Sequence, residues 1–416
     1  DKKKETIKVT YDLADKERDD IKISLKTSFN RGYEFDDRSE AATGDVGYPI
    51  KPGKKKSITW SYKGVKYIPH GFGVEADDSK GIDLADFEIM LVADDQQKVD
   101  IQDIVDKVSA TKLKEYMEQL VGERSYKTAR GIKNIDKARE LLKNHFKGNG
   151  LKAFRHPVEH GDYMGYNYSG VYEGTLDGDL TVIVSGHYDT VKDTPGADDN
   201  ASGVAGLLEI ARVISKYGFN YSMDFVAFDL EEENLLGSNL YVKSLWGNKN
   251  MWVKGIINMD MIGYYSDQPN SQTIPEGFES LFPDVVSQIS ESGYKANFIV
   301  ETTNDFSKPL SDLFNASAKK YVPGLKTITL TAPDFGSDME SLRQSDHVSF
   351  WDRGYQAISL GDGGSTRSPH YHTQGDTIDK IDFDKMADVV KAALATIVTI
   401  AEPNNSHHVF ARISNL

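Results

Sequence analysis

Residues able to hold a divalent metal stand at three points where an apolar run stops. Residues 181–184 lead into Gly186-His187-Tyr188-Asp189, residues 223–228 into Asp229-Leu230-Glu231-Glu232, and residues 255–258 into Met259-Asp260. Short apolar runs of this kind read as buried strands. In an open parallel sheet the carboxyl ends of the strands form the ligand crevice, so His187, Glu231, Glu232 and Asp260 are expected along one edge. Two loops add donors: Pro195-Gly196-Ala197-Asp198-Asp199-Asn200 brings Asp199, and Pro369-His370-Tyr371-His372 brings a second imidazole. Imidazoles mixed with carboxylates suit zinc, and with no cysteine in the chain every ligand must be His, Asp or Glu. His187, Asp199, Glu232, Asp260 and His372 make five ligands, one too many for a single tetrahedral ion. They fit two zinc ions sharing one carboxylate.

Simpler readings compete for several of these residues. Glu231-Glu232-Glu233 resembles a solvated charge run, but it lies between an apolar strand and Leu235-Leu236-Gly237. Asp198 is expected to support the site or cap a helix rather than bind metal. Ser345-Asp346-His347 is expected to shape the pocket, and His407-His408 to lie in a terminal tail.

The scaffold that must position the ligands changes texture near residue 100. Before it, short alternating runs such as residues 6–11, 21–25, 57–61 and 87–92 are separated by Gly, Pro and Asp, the pattern of half-buried antiparallel strands. Residues 1–98 are therefore expected to form a small all-β sandwich. From residue 101 helical periods follow at 101–108, 110–120 and 135–146. Strands at 181–185, 223–229 and 255–259 then alternate with helices at 203–217 and 237–246. The scheme continues with a helix at 278–292, strands at 298–301, 327–330 and 357–360, and a closing helix at 383–401. Alternation of this kind predicts an α/β domain, helices covering both faces of a mostly parallel sheet. Residues 99–405 are assigned to it and 406–416 to a tail.

The 416 residues carry a net charge of -15, which opposes binding to phosphate backbones and excludes nucleic acid as a partner. No apolar run approaches the roughly 20 residues of a membrane span. A start at Asp1, without Met or an apolar leader, suits a mature secreted or periplasmic bacterial product. A monomer is compatible with the sequence.

The order and local sequence of the five ligand-bearing segments resemble metallopeptidase family 28, the co-catalytic di-zinc aminopeptidases, over about residues 101–401. Gly44-Asp45-Val46-Gly47, Pro52-Gly53 and Ile58-Thr59-Trp60 separately resemble β-sandwich modules of secreted bacterial proteins. The peptidase resemblance implies an αβα sandwich of the zinc exopeptidase type, two Zn2+ ions and peptide substrates. Carried over residue by residue, it makes Asp199 the bridging carboxylate, puts His187 and Asp260 on one zinc, and puts Glu232 and His372 on the other. Glu231 becomes the general base, and a cis peptide follows Asp199. Asp189, two residues beyond His187, is placed to accept the far imidazole N–H and fix its tautomer. Tyr371 matches a tyrosine that polarises the substrate carbonyl in some members. One departure is Asn234, where the family commonly has Gly. The alternatives on the same scaffold are a carboxypeptidase or dipeptidase and a glutaminyl cyclase.

Overall fold

The computed structural model describes residues 5–13, 20–28, 36–63, 88–94, 99–175, 177–247, 252–404 and 406–407. Expectations that fall on Phe87, on the boundary near residue 98 and on the chain beyond His407 lie outside them.

The first strands are β1 (Thr6–Leu13), β2 (Ile21–Ser28), β3 (Asp36–Asp37), β4 (Ala42–Gly44), β5 (Gly47–Ile50), β6 (Gly53–Ser61) and β7 (Glu88–Asp94). They pair antiparallel in two small sheets, β1-β6-β4 and β7-β2-β3, with β5 also on β2. The two-residue period of β1 turns Ile7, Val9, Tyr11 and Leu13 inward, where they join Ile23, Leu25, Trp60 and Leu91 in one apolar cluster.

Helices α1 (Ile101–Val105), α2 (Ala110–Leu120) and α3 (Ala129–Gly148) follow. Each starts where a polar side chain caps a free amide: Asp100 accepts from Gln102 N, Ser109 from Lys112 N and Thr128 from Gly131 N. The central sheet comprises β8 (Lys152–His160), β9 (Tyr163–Tyr172), β10 (Asp177–His187), β12 (Tyr221–Phe228), β13 (Trp252–Met259), β14 (Ile299–Asn304), β15 (Thr327–Ala332) and β16 (Ala357–Gly361). Its order is β15-β14-β16-β13-β10-β12-β9-β8. The pairs β15-β14, β16-β13, β13-β10 and β10-β12 are parallel and the other three antiparallel. The mixed α/β sheet expected from the sequence is present.

Burial on both faces explains the continuous apolar runs of the central strands. In β10, Val182 and Val184 face a core shared with α4 (Gly203–Ile214), α8 (Lys308–Tyr321) and α10 (Phe383–Ala401), while Ile183 faces α5 (Leu236–Gly247) and α9 (His347–Trp351).

Several elements differ from the sequence expectation. The β8–β9 hairpin was not anticipated; β8 is an edge strand carrying Pro157 and five charged or histidine side chains, so it lacks an apolar run. Helix α8 was also missed. The helix expected at 278–292 is two pieces, α6 (Phe278–Leu281) and α7 (Pro283–Glu291). Pro283 disfavours helical backbone at Phe282, which sits at φ -134°, ψ 57°. Finally, residues 406 and 407 are not a free tail. After β17 (Pro403–Asn404) pairs with β11 (Gly218–Phe219), Ser406 and His407 form β18 against Asp94 and Ala93 of β7.

Candidate metal centre

Register brings the expected ligands together. His187 closes β10 opposite Phe228 of β12, and Ser185 lies beside Asn258 of β13, so all three strands finish side by side. Just past two of these ends Leu230 and Met261 adopt left-handed backbone (φ 57° and 56°), as does His372 (φ 55°) in its loop. An L-residue pays about 1 kcal/mol or more for that conformation, and here it turns the chain beside Glu231 and Asp260 and at His372. The peptide Asp199-Asn200 is cis. The Asn200 side chain then ties this turn to the end of β13, donating to Met259 O at 3.0 Å and accepting from Met261 N at 3.2 Å.

Asp199 stands between the two imidazoles. Its Oδ1 lies 3.2 Å from His187 Nε2 and its Oδ2 3.0 Å from His372 Nε2. His187 Nε2 is also 3.4 Å from Asp260 Oδ1, and His372 Nε2 is 3.5 Å from Glu232 Oε2. Two atoms held about 2.0–2.1 Å from one tetrahedral ion stand roughly 3.3 Å apart, so all four separations have the span of a shared metal. They divide into two triads, His187-Asp199-Asp260 and Asp199-Glu232-His372, with Asp199 common to both. Glu231 Oε2 is farther from His187 Nε2, at 3.9 Å.

The electrostatics of the cluster call for positive charge at its centre. Burial works to lower His187, yet Glu231, Asp260, Asp189 and Asp199 outweigh it and hold the imidazole well above its ordinary range. Partial burial likewise fails to lower His372, which Asp199 and Glu232 raise to about 10. Burial would raise Asp199, but hydrogen bonding to the two imidazoles keeps it below the usual carboxylate range. Burial and the Asp199 charge lift Glu232 to about 7, and burial lifts Glu231 well above its ordinary value. Among the described residues Glu232 Oε1 is buried without a hydrogen-bond partner, leaving an oxygen of this glutamate unmet by protein. Two borderline-basic imidazoles and hard oxygens converging on shared points are a donor set suited to zinc.

Neighbouring groups fix the clustered side chains in place. Asp189 faces His187 Nδ1 at 3.4 Å and accepts the Glu231 and Glu232 amides at 3.1 and 3.2 Å, lacing the turn after β12 to the end of β10. Ser345 donates to Asp260 Oδ2 at 2.6 Å. Asp346 is fully buried beside Glu231 and pushed up to about 7 by that burial, while His347 faces Leu342 O at 3.0 Å and packs edge-on against Trp351. Asp198 accepts from Gly263 N at 2.9 Å. The three glutamates part company: Glu231 and Glu232 face the cluster, whereas Glu233 pairs with Lys127 outside it. Tyr371 stacks on His372 with ring centres 3.8 Å apart and lines the same cavity.

Sequence reasoning gave no role to Asp376, which accepts the main-chain amides of Asp198 and Asp199 at 2.8 and 3.1 Å. Its place four residues after His372 in the same loop was the available signal. The cavity of ≈ 460 Å³ was equally unread. It opens from the ligands onto an apolar wall of Phe278 on α6, Val285 and Ile289 on α7, Val300 on β14, and Ile328 and Leu330 on β15.

The sequence pattern of peptidase family M28 matches residues 167–397. The uncharacterized protein YfbL of Escherichia coli is 32% identical over 304 residues, covering 68% of this chain and 84% of that one. A probable zinc metalloprotease of Pyrenophora tritici-repentis is 28% identical, over 55% of this chain and 50% of its own. Aminopeptidase YwaD of Bacillus subtilis is 30% identical over 51% of this chain and 40% of its own. The chain thus spans half or less of these last two relatives. Among solved structures, the fold is that of BSAP, a zinc aminopeptidase from Bacillus subtilis (TM-score 0.54, 17% identity, 71% of this chain and 96% of that one). It is also that of a glutaminyl cyclase from Bacteroides thetaiotaomicron (TM-score 0.51, 19% identity, 70% and 98%).

Proposed function

The chain belongs to peptidase family M28, and from that premise we propose that it is an aminopeptidase carrying two zinc ions. The observation that carries this reading is Asp199, a single carboxylate with one oxygen toward each imidazole. His187 and Asp260 would hold one ion, Glu232 and His372 the other, and Asp199 would bridge them. Bound there, zinc supplies Lewis acidity, making water a nucleophile near neutral pH and polarising a carbonyl. The rest of the work falls to the chain. Glu231 sits beside the ligands without being one of the closest, so its carboxylate is free to take the proton of the attacking water and pass it to the leaving nitrogen. Asp189 holds the main chain of that glutamate in register with His187. Tyr371, whose phenol burial and the nearby carboxylates keep protonated, is in reach of the cavity to donate to the carbonyl oxygen.

The substrate's first side chain would enter the cavity against Phe278, Val285, Ile289, Ile328 and Leu330. A wall with no charged side chain favours a bulky apolar first residue, because a charge there would lose its water without a partner. Support for hydrolysis of peptides from the amino end comes from the naming of YwaD, and for zinc from that of the Pyrenophora relative.

A panel of aminoacyl-nitroanilides, N-acetylated peptides and peptides beginning with Gln, each with chelator and zinc add-back, tests the reading. The expected result is release of leucine and phenylalanine from free amino ends, loss on chelation and recovery with zinc. Cleavage of blocked peptides from the carboxyl end, or cyclisation of Gln peptides without hydrolysis, would replace it with one of the alternatives.

A further inference from the structure

Arg124 carries a charge that the proposed reaction does not use. It lies in the connection between α2 and α3, fully buried, and among the described residues every hydrogen bond of its guanidinium goes to a main-chain carbonyl. Nε donates to Tyr188 O at 2.6 Å. Nη1 reaches Leu120, Gly122 and Pro195 O at 2.7, 3.0 and 3.2 Å, and Nη2 reaches Gly196 O at 2.8 Å. A buried cation is costly unless its donors are met. Five carbonyl dipoles meet them here, and the Leu120 carbonyl belongs to the last turn of α2, whose negative end favours a cation.

The partners flank the site's own residues. Tyr188 adjoins Asp189, and Pro195-Gly196 stand just before Asp198-Asp199. The lacing continues in the main chain: Arg124 N donates to Thr190 Oγ1 at 2.9 Å, Thr190 N to Arg124 O at 3.2 Å and Gly122 N to Pro195 O at 2.8 Å. Gly196 has φ 62°, and a Cβ there would meet Thr190 Cγ2 at 2.3 Å and Arg124 Nη2 at 2.9 Å, so the loop closes directly on the guanidinium. Burial draws Arg124 down to about 10, with Asp376, Asp189, Asp199 and Glu232 opposing the fall, which leaves it cationic at neutral pH and within the field of the ligand carboxylates.

We propose that Arg124 is a positioning residue that clamps residues 188–196, setting Asp189 and Asp199 at the spacing two metals require before any metal binds. A lysine retains the charge but not the planar fork, and cannot span carbonyls from three segments. The inference rests on the metal-centre reading above, so the assay separates the two.

Zinc affinity by chelator competition and amide hydrogen exchange are measured on the full chain for wild type, R124K and T190V. For R124K the expected results are a zinc Kd weakened by about 10- to 100-fold, the range seen when outer partners of metal ligands are lost, and faster exchange confined to residues 188–199. T190V, which removes the hydroxyl that accepts from Arg124 N and donates to Val191 O within the clamped loop, should do the same to a smaller extent and serves if R124K does not fold. Zinc affinity within about 2-fold of wild type with unchanged exchange at 188–199, or exchange rising equally in the N-terminal sheets, would overturn the clamp. If wild type takes up no zinc, the metallopeptidase reading fails, and the exchange pattern alone decides the role of Arg124.

Discussion

The two ends of the cavity are built on opposite principles. At one end His187, Glu231, Glu232 and Asp260 follow directly from adjacent parallel strands, so the sheet places them and Asp189 and Ser345 trim their orientation, while Asp376 holds the amides of the loop that brings Asp199. At the other end the apolar wall is assembled from two short helices broken at Pro283 and from β14 and β15, which run antiparallel to β16. On the proposed reading the ligand end tolerates little displacement, because each atom would answer to a metal radius. The apolar end needs only volume and the absence of charge. Chemistry should therefore be fragile to substitution at the first end, and selectivity graded at the second.

The largest effect should come from the ligand end. E231Q keeps the shape of the base and removes its proton affinity, so kcat should fall by about 10²- to 10⁴-fold with zinc content unchanged by elemental analysis. A variant retaining wild-type kcat would place the base elsewhere. At the apolar end, F278A should lower kcat/KM for leucyl and phenylalanyl nitroanilides by about 10-fold relative to the alanyl substrate, the scale of a lost apolar contact in a specificity pocket. An equal fall for all three substrates would show that the wall supports the ligands instead of choosing the substrate.

A third, smaller effect lies away from both ends. His145 on α3 donates from Nε2 to Leu208 O at 2.8 Å, and burial holds its imidazole down to about 4. The unfolded chain takes up this proton near pH 6.5, so between those values the unfolded state binds more protons than the folded one. The contribution of neutral His145 is thus fully present above about pH 6.5 and is lost as pH falls toward 4. Thermal melts of H145Q should show a shallower fall over this interval than wild type, while nitroanilide kinetics at pH 8 stay the same. The smallest effect is expected from E233Q. It removes an ion pair with the largely solvated Lys127, worth under about 1 kcal/mol, and should change kcat by less than about 2-fold. A loss approaching that of E231Q would mean that the three glutamates are in the wrong register.

Legibility followed the same division. The ligand segments could be read because a strand that stops at a charged residue is a local event, visible within ten residues of sequence. Residues 181–187 and 223–232 needed no knowledge of the rest of the chain. The β8–β9 hairpin escaped because an edge strand tolerates Pro157, His156 and Arg155 and shows no apolar run. Helix α8 escaped because Leu310, Phe314 and Ala318 are diluted by Ser, Asn and Lys.

By itself the sequence determined which residues could bind metal, the alternation that builds an α/β sheet, and the exclusion of thiolate chemistry by the absence of cysteine. Only the tertiary structure decided that Asp199 divides its two oxygens between His187 and His372, that Glu233 turns away to Lys127, that Arg124 grips the loop between Asp189 and Asp199, and that α6, α7, β14 and β15 close an apolar wall. The physical reason is range. Apolar period and donor type are properties of neighbouring residues, whereas a shared ligand, a buried cation and a pocket are meetings of segments tens to hundreds of residues apart, fixed by sheet register and packing.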